Sequence, residues 1–389
     1  MGSSKIKNIL IASLLLFGIS VSAGEFEEFQ KQQNSSFTNY KDNLEKEFKA
    51  YKKAHDEAWK EFSKELGKKW PKENGKADIS TKHKFVEYSK DLTQKKSVDY
   101  EKKVVNLEVI ASSQKEAKKK IAKMFNNLLK EDVKTAFKND ILEKKIAKKV
   151  KKKRKAPKSN QKLIADLINA QQKANLKAKL KKQKLIVVKH KGKFIYKANV
   201  KLPSDSTIKK AKQYKSKVLK EAKKQKILPE LVFAIMHSES SFNPMARSHI
   251  PAFGLMQIVP RSAGIDAYQY LYKKKKKVSS SYLYSSNNNI TMGSAYLHIL
   301  YFRYLKKIKD PQSRLYCAIA AYNTGAGNVA KAFIGSTNIN RASKTINNMS
   351  ADAVFKRLMK KLPYNETKHY LKKVTDRVSA YNKLLKTTL

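Results

Sequence analysis

Leu228-Pro-Glu-Leu-Val-Phe-Ala-Ile-Met-His-Ser-Glu239 is an apolar run that closes on a carboxylate, and Ser240-Ser-Phe-Asn-Pro244 follows at once. Proline has a fixed φ and no N–H to satisfy, so it suits the first turn of a helix, and Pro229 marks a start. A carboxylate at the end of a buried helix is costly unless something pairs or uses it. Phe233, Ala234, Ile235, Met236 and Phe242 surround Glu239 in sequence, and apolar surroundings raise a carboxyl pKa. A carboxyl that keeps its proton near neutral pH is what cleavage of a glycosidic bond needs, because the leaving oxygen must be protonated. Two more segments belong with it: Gly254-Leu-Met-Gln257 and Ala321-Tyr-Asn323-Thr-Gly-Ala-Gly327.

Outward from this run the pattern is helical from about Ser206 onward. Asn287 to Tyr304, Asp310 to Tyr322, Ala353 to Leu362 and Asn365 to Leu385 read as helices, and no strand signal interrupts them. The sequence therefore predicts an all-α domain over 201–389. The first half differs. Phe26, Phe37, Phe48, Trp59 and Trp70 recur every eleven residues, with Phe29, Tyr40, Tyr51 and Phe62 offset by three. Eleven residues in three turns is about 3.67 per turn, close to a straight α-helix, so 24–75 is expected to be one long helix with an aromatic stripe. Lys84 to Ser89, Ser97 to Tyr100 and Val104 to Ala111 alternate as strands do. Helices are expected over 113–130 and 131–148. Lys184 to His190 and Lys193 to Val200, separated by Lys191-Gly192, predict a hairpin. Residues 76–200 thus read as a small α+β domain, and the whole chain as α+β.

Of the 389 residues, 41% are hydrophobic, enough for a core, and the net charge of +53 makes attraction to polyanions a general property of the surface. Lys148 to Lys155 is a basic run that suits a solvated linker or a polyanion tether. Lys5 and Lys7, the short apolar stretch Ile9 to Val21 and the small residues Val21-Ser-Ala23 form a secretion signal over 1–23, with an uncleaved anchor as the alternative. No cysteine stands at the cleavage point for a lipid to attach, and secretion argues against nucleic acid as a partner despite the charge. The one cysteine, Cys317, lies in an apolar run and reads as a buried small hydrophobe. No metal or cofactor signature is present.

Glu239-Ser-Ser-Phe-Asn-Pro244, Ala246-Arg-Ser248, Gly254-Leu-Met-Gln257, Ala321-Tyr-Asn-Thr-Gly-Ala-Gly327 and Pro363-Tyr-Asn-Glu366-Thr-Lys-His-Tyr370 resemble, in order, the catalytic domain of the lytic murein transglycosylases, a domain akin to goose-type lysozyme. The aromatic helix, Phe85-Val-Glu-Tyr-Ser-Lys and Val98-Asp-Tyr-Glu are similar to the N-terminal region of the membrane-bound C group of that family. The resemblance implies cleavage of the β-1,4 bond between N-acetylmuramic acid and N-acetylglucosamine in peptidoglycan, with a 1,6-anhydro end as product. It makes Glu239 acid and then base. It places Ser248, Met256, Gln257, Tyr322, Asn323, Glu366 and Tyr370 along the glycan, with Tyr370 in reach of Glu239, and gives Gly325 and Gly327 close backbone turns. The strong motifs supply one carboxylate where most glycosidases use two, and an intramolecular attack by the muramoyl 6-hydroxyl fits that shortage. The rival readings are a hydrolase on the same fold and a wall-binding protein without catalysis. The Lys-rich segments add a possible anionic envelope surface as partner.

Overall fold

The computed structural model describes residues 46, 49–73, 75–151, 155–249 and 251–387. Of the two units into which the chain divides, Met1–Tyr51 and Lys52–Leu389, the second holds the sheet and the helical half. The signal segment and most of the aromatic stripe lie outside the described residues.

Five antiparallel strands form one sheet in the order β1-β2-β3-β5-β4: Lys84–Tyr88, Gln94–Asp99, Val104–Ile110, Lys193–Lys201 and Ile186–His190. The alternation that predicted β1 to β3 is also what buries one face of them, whereas β4 is largely exposed. Val98, Val105, Leu107, Val109 and Ile195 are buried completely, and the helix Gln114–Lys130 packs on β3. The hairpin between β4 and β5 closes at Lys191 and Gly192, both with positive φ, as a tight turn matching the twist of the strands demands. Cross-strand pairing also disposes of charge. Lys95 faces Glu108 in the β2–β3 register and Lys96 faces Glu87 in the β1–β2 register. Lys95 Nζ is 2.6 Å from Glu108 and 3.1 Å from Asp78, and Lys96 Nζ is 2.7 Å from Glu131.

Two helix expectations change. Within the larger unit the aromatic helix runs over 52–67 and stops short of Trp70. Its stripe still packs: Phe62 and Trp70 both meet Tyr88 of β1 edge-on. The single helix expected over 131–148 is two, Val133–Asn139 and Ile141–Lys149. Asp140 divides them because its side chain accepts the backbone N–H of Glu143 and so caps the second helix.

From Ser206 onward the described residues are helical and carry no strand, and the chain is α+β as a whole. Pro229–Ser240 starts at its proline as expected and is apolar on all sides, with Leu231 to Met236 all buried. The long C-terminal helix Asn365–Thr387 packs along it, and Pro311–Thr324 packs on the C-terminal helix in turn. The C-terminal helix thereby lies between Pro229–Ser240 and Pro311–Thr324 and contacts both. The helices Ala263–Tyr272, Ala326–Ile334 and Ile339–Asn347 had no separate signal in the sequence reading.

Candidate active site

Glu239 occupies the last turn of Pro229–Ser240 and is 5% exposed. The chain then leaves the helix abruptly: Ser241 and Phe242 both take positive φ. Such backbone is strained for side chains other than glycine, and side-chain bonds hold it. Asn243 Oδ1 accepts from Met245 N at 3.0 Å, and Ser240 Oγ donates to the carbonyls of Met236 and Leu255. The second of these bonds ties the Glu239 turn to the Gly254–Gln257 loop.

Burial pushes the Glu239 carboxyl above the usual carboxylate range. Lys82 and Tyr370 act against that rise, and Glu366 adds to it. The Tyr370 hydroxyl is buried beside the carboxyl. It interacts with Glu239 but completes no hydrogen bond of good geometry, so a donor stands ready next to the acid. Tyr322 feels the same carboxyl, and its own hydroxyl donates to the Met256 carbonyl at 2.8 Å.

The Gly254-Leu-Met-Gln257 loop is clamped from within. Gly254 has φ +75, and a Cβ there would meet Leu283 O and Asn289 Nδ2 at 2.4 Å. Met256 is fully buried, its thioether lying against Gly293. Gln257, 7% exposed, donates to Gly254 O at 3.0 Å and keeps a buried Oε1 with no partner. Asn289, which the sequence reading passed over, is the hub: its side chain accepts from Met256 N at 2.7 Å and donates to Phe253 O at 2.8 Å and Leu283 O at 2.9 Å.

The other expected residues are placed as follows. Asn323 Oδ1 accepts from Thr367 Oγ1 at 2.7 Å, joining the Ala321–Gly327 motif to the C-terminal helix. Gly325 turns the chain between two helices with φ +86, whereas Gly327 lies inside Ala326–Ile334 and makes no turn. Ser248 is half-buried, its N–H donating to Ala252 O. Glu366 has a side chain 76% exposed and lies 3.6 Å from Lys82 Nζ. Lys82 Nζ is also 3.9 Å from Glu239 Oε2. Lys82 precedes β1, and nothing in its own sequence neighbourhood marked it.

Residues 216–347 match the Transglycosylase SLT domain family model. That stretch contains Glu239, Ser248, Met256, Gln257, Tyr322 and Asn323, and leaves out Lys82, Glu366 and Tyr370. Among curated proteins, the membrane-bound lytic murein transglycosylase C of Serratia proteamaculans is 42% identical over 189 residues, 49% of this chain and 52% of that one. Its counterpart from Yersinia enterocolitica is 40% identical over the same shares. The chain spans about half the length of the curated relatives it matches. Among solved structures, the lytic transglycosylase Slt of Pseudomonas aeruginosa is 24% identical over 47% of this chain and 26% of that one, with a TM-score of 0.36. The 70-kDa soluble lytic transglycosylase in complex with bulgecin A is 17% identical over 70% of this chain and 43% of that one, with a TM-score of 0.35. The family-model match lies in the helical half, and the curated relatives are lytic murein transglycosylases, as the motifs led one to expect.

Proposed function

We propose that this protein is an exported peptidoglycan lyase that cleaves the β-1,4 bond between N-acetylmuramic acid and N-acetylglucosamine without water. The observation that carries the reading is the buried carboxyl of Glu239 at the end of its helix. It is held toward its protonated form by burial, while the carboxylate that shares its surroundings, Glu366, is largely in solvent and paired with a lysine. Glu239 gives its proton to the glycosidic oxygen as the bond to the muramoyl C1 breaks. The muramoyl 6-hydroxyl then forms the new bond to C1 and returns its proton to the Glu239 carboxylate. Atoms balance with no water consumed, the acid is regenerated, and a 1,6-anhydromuramoyl end remains. Tyr370 and Tyr322 border the carboxyl, and the unpartnered Gln257 Oε1 is a free acceptor for a glycan hydroxyl or amide. Ser248 and Asn323 complete the proposed glycan contacts, and Met256 supports the loop from beneath. The relatives, membrane-bound lytic murein transglycosylases by name, support a murein substrate and an envelope location.

The test is digestion of purified sacculi with mass spectrometry of the fragments. Wild type should release ends lighter by one water than ordinary reducing ends, and Glu239→Gln should release about a thousandfold less or nothing. Hydrated reducing ends would convert the assignment to a hydrolase. Undiminished digestion by Glu239→Gln would remove Glu239 from the chemistry.

A further inference from the structure

Thr81-Lys82-His83, the lead-in to β1, is fastened along the turn that follows Glu239. Arg247 N donates to Thr81 O at 3.4 Å. Asn243 Nδ2 donates to Lys82 O at 3.2 Å, and His83 Nδ1 and Ser241 Oγ are 3.0 Å apart. Further along, Arg247 reaches Asp140 at 2.8 Å and closes the same seam. These bonds fix where the Lys82 side chain begins, and its Nζ then stands between two carboxyls, 3.9 Å from Glu239 and 3.6 Å from Glu366. We propose that Lys82 is a positioning residue for the reaction: a cation delivered to Glu239 from outside the matched catalytic domain and shared with Glu366, setting the balance between the protonated and ionised forms of Glu239.

The inference rests on the reading of Glu239 as acid and then base. Such a group must be stable in both states within one turnover. Burial favours the protonated state and leaves the carboxylate stranded once the proton is given away. A cation a few ångströms off stabilises that carboxylate without a direct bond that would hold it ionised. Glu366 tempers the effect twice, as a like charge near Glu239 and as a competitor for the ammonium. The other groups facing the carboxyl do not replace Lys82. Tyr370 and Tyr322 are neutral phenols whose titration burial pushes far upward. Lys373, on the C-terminal helix, also favours the carboxylate, but its Nζ is committed to Glu101 at 3.3 Å. Because Lys82 is tied to β1, and β1 to the sheet by its register with β2, the α+β half becomes part of the catalytic machinery.

The experiment follows the Glu239 carboxyl directly. In the full chain without substrate, carbon-13 NMR of glutamate carboxyls gives its titration midpoint, assigned by difference with Glu239→Gln. Lys82→Met should raise the midpoint by about one pH unit, the low end for an opposite charge because Lys82 is partly in solvent. Glu366→Gln should lower it, and Lys82→Arg should hold it within a few tenths. The alkaline limb of kcat/KM on sacculi should move the same way in each variant. A midpoint that is unmoved or lower in Lys82→Met, or raised in Glu366→Gln, overturns the inference. Glu366 is exposed, so its variant carries the test even if Lys82→Met fails to fold. Correct titration shifts without anhydro product would sink the proposed reaction and leave this inference standing; anhydro product with unmoved midpoints would do the opposite.

Discussion

Replacing Asn289 with alanine should cost the fold about 3–5 kcal/mol and disable the site together. The side chain is fully buried and makes three hydrogen bonds, all to backbone: Met256 N, Phe253 O and Leu283 O. Alanine leaves Met256 N and Leu283 O without this partner, at about 1–3 kcal/mol for each buried orphan, and removes one of the two donors to Phe253 O, which keeps Ile258 N at 3.2 Å. The low part of each range applies if a water enters the space. That total is a large share of the ~5–15 kcal/mol that holds a domain together. The loop that loses its clamp also carries Gln257 and the Met256 carbonyl that Tyr322 bonds, so turnover should fall even in the fraction that stays folded. Equilibrium urea unfolding measures the first effect, with the midpoint falling and the slope unchanged; sacculus digestion below the transition measures the second. Asn289→Asp sharpens the test. It keeps an acceptor for Met256 N but turns an oxygen toward two carbonyls, so it should be at least as damaging at pH 7 and partly relieved in acid. A loss under about 1 kcal/mol with wild-type digestion would show that Asn289 does not organise the loop.

Gly254→Ala should destabilise by about 3 kcal/mol, because the new Cβ meets Leu283 O and Asn289 Nδ2 at 2.4 Å and the backbone is at positive φ; a melting temperature within a degree of wild type would refute this. Lys210 is 2% exposed, donates to Leu163 O at 3.0 Å, and burial pushes its amine down to about 8. Below pH 8 both folded and unfolded chains hold that proton and the folded state bears the full cost; the cost fades as pH rises from 8 toward the ordinary lysine value. Lys210→Met should therefore be more stable than wild type by about 1–3 kcal/mol at pH 7, with the advantage narrowing above pH 8; a pH-independent difference in denaturation midpoints would contradict it. Glu239 has a raised pKa, so its contribution to stability declines as pH climbs from the ordinary glutamate value through its folded one. Glu239→Gln should gain stability over wild type across that window, and thermal melts that stay parallel from pH 4 to pH 8 would count against the shift.

The features legible in the sequence were those written locally. Alternation located the strands, Lys191-Gly192 the hairpin turn, and Pro229 the start of the Glu239 helix. Glu239 itself stood out because an ionisable group closing an apolar run is a local anomaly. What escaped is made by long-range contact. Asn289 acts through carbonyls on other segments, and no spacing around it signals that. Lys82 is one of very many lysines, and its meaning comes only from where β1 begins. Asp140 looked like an interior helix residue and proved to be a cap, since a single capping oxygen outweighs the modest propensity of the residues around it. Gly327 was expected to turn and is helical, because Gly325 already makes the turn.

The helix Pro229–Ser240 carries a glutamate at each end, Glu230 in its first turn and Glu239 in its last. A helix is electrically polar, with partial positive charge at its start and partial negative charge at its finish. The same side chain is therefore written twice into one field with opposite consequences. At Glu230 the aligned peptide dipoles welcome a negative charge, and at Glu239 they repel one by roughly 0.3–1 kcal/mol. The scaffold thus biases its own acid toward holding a proton before any neighbour contributes. A redesign that moved the acid to the front of a helix would forfeit that bias and would have to recover it with deeper burial.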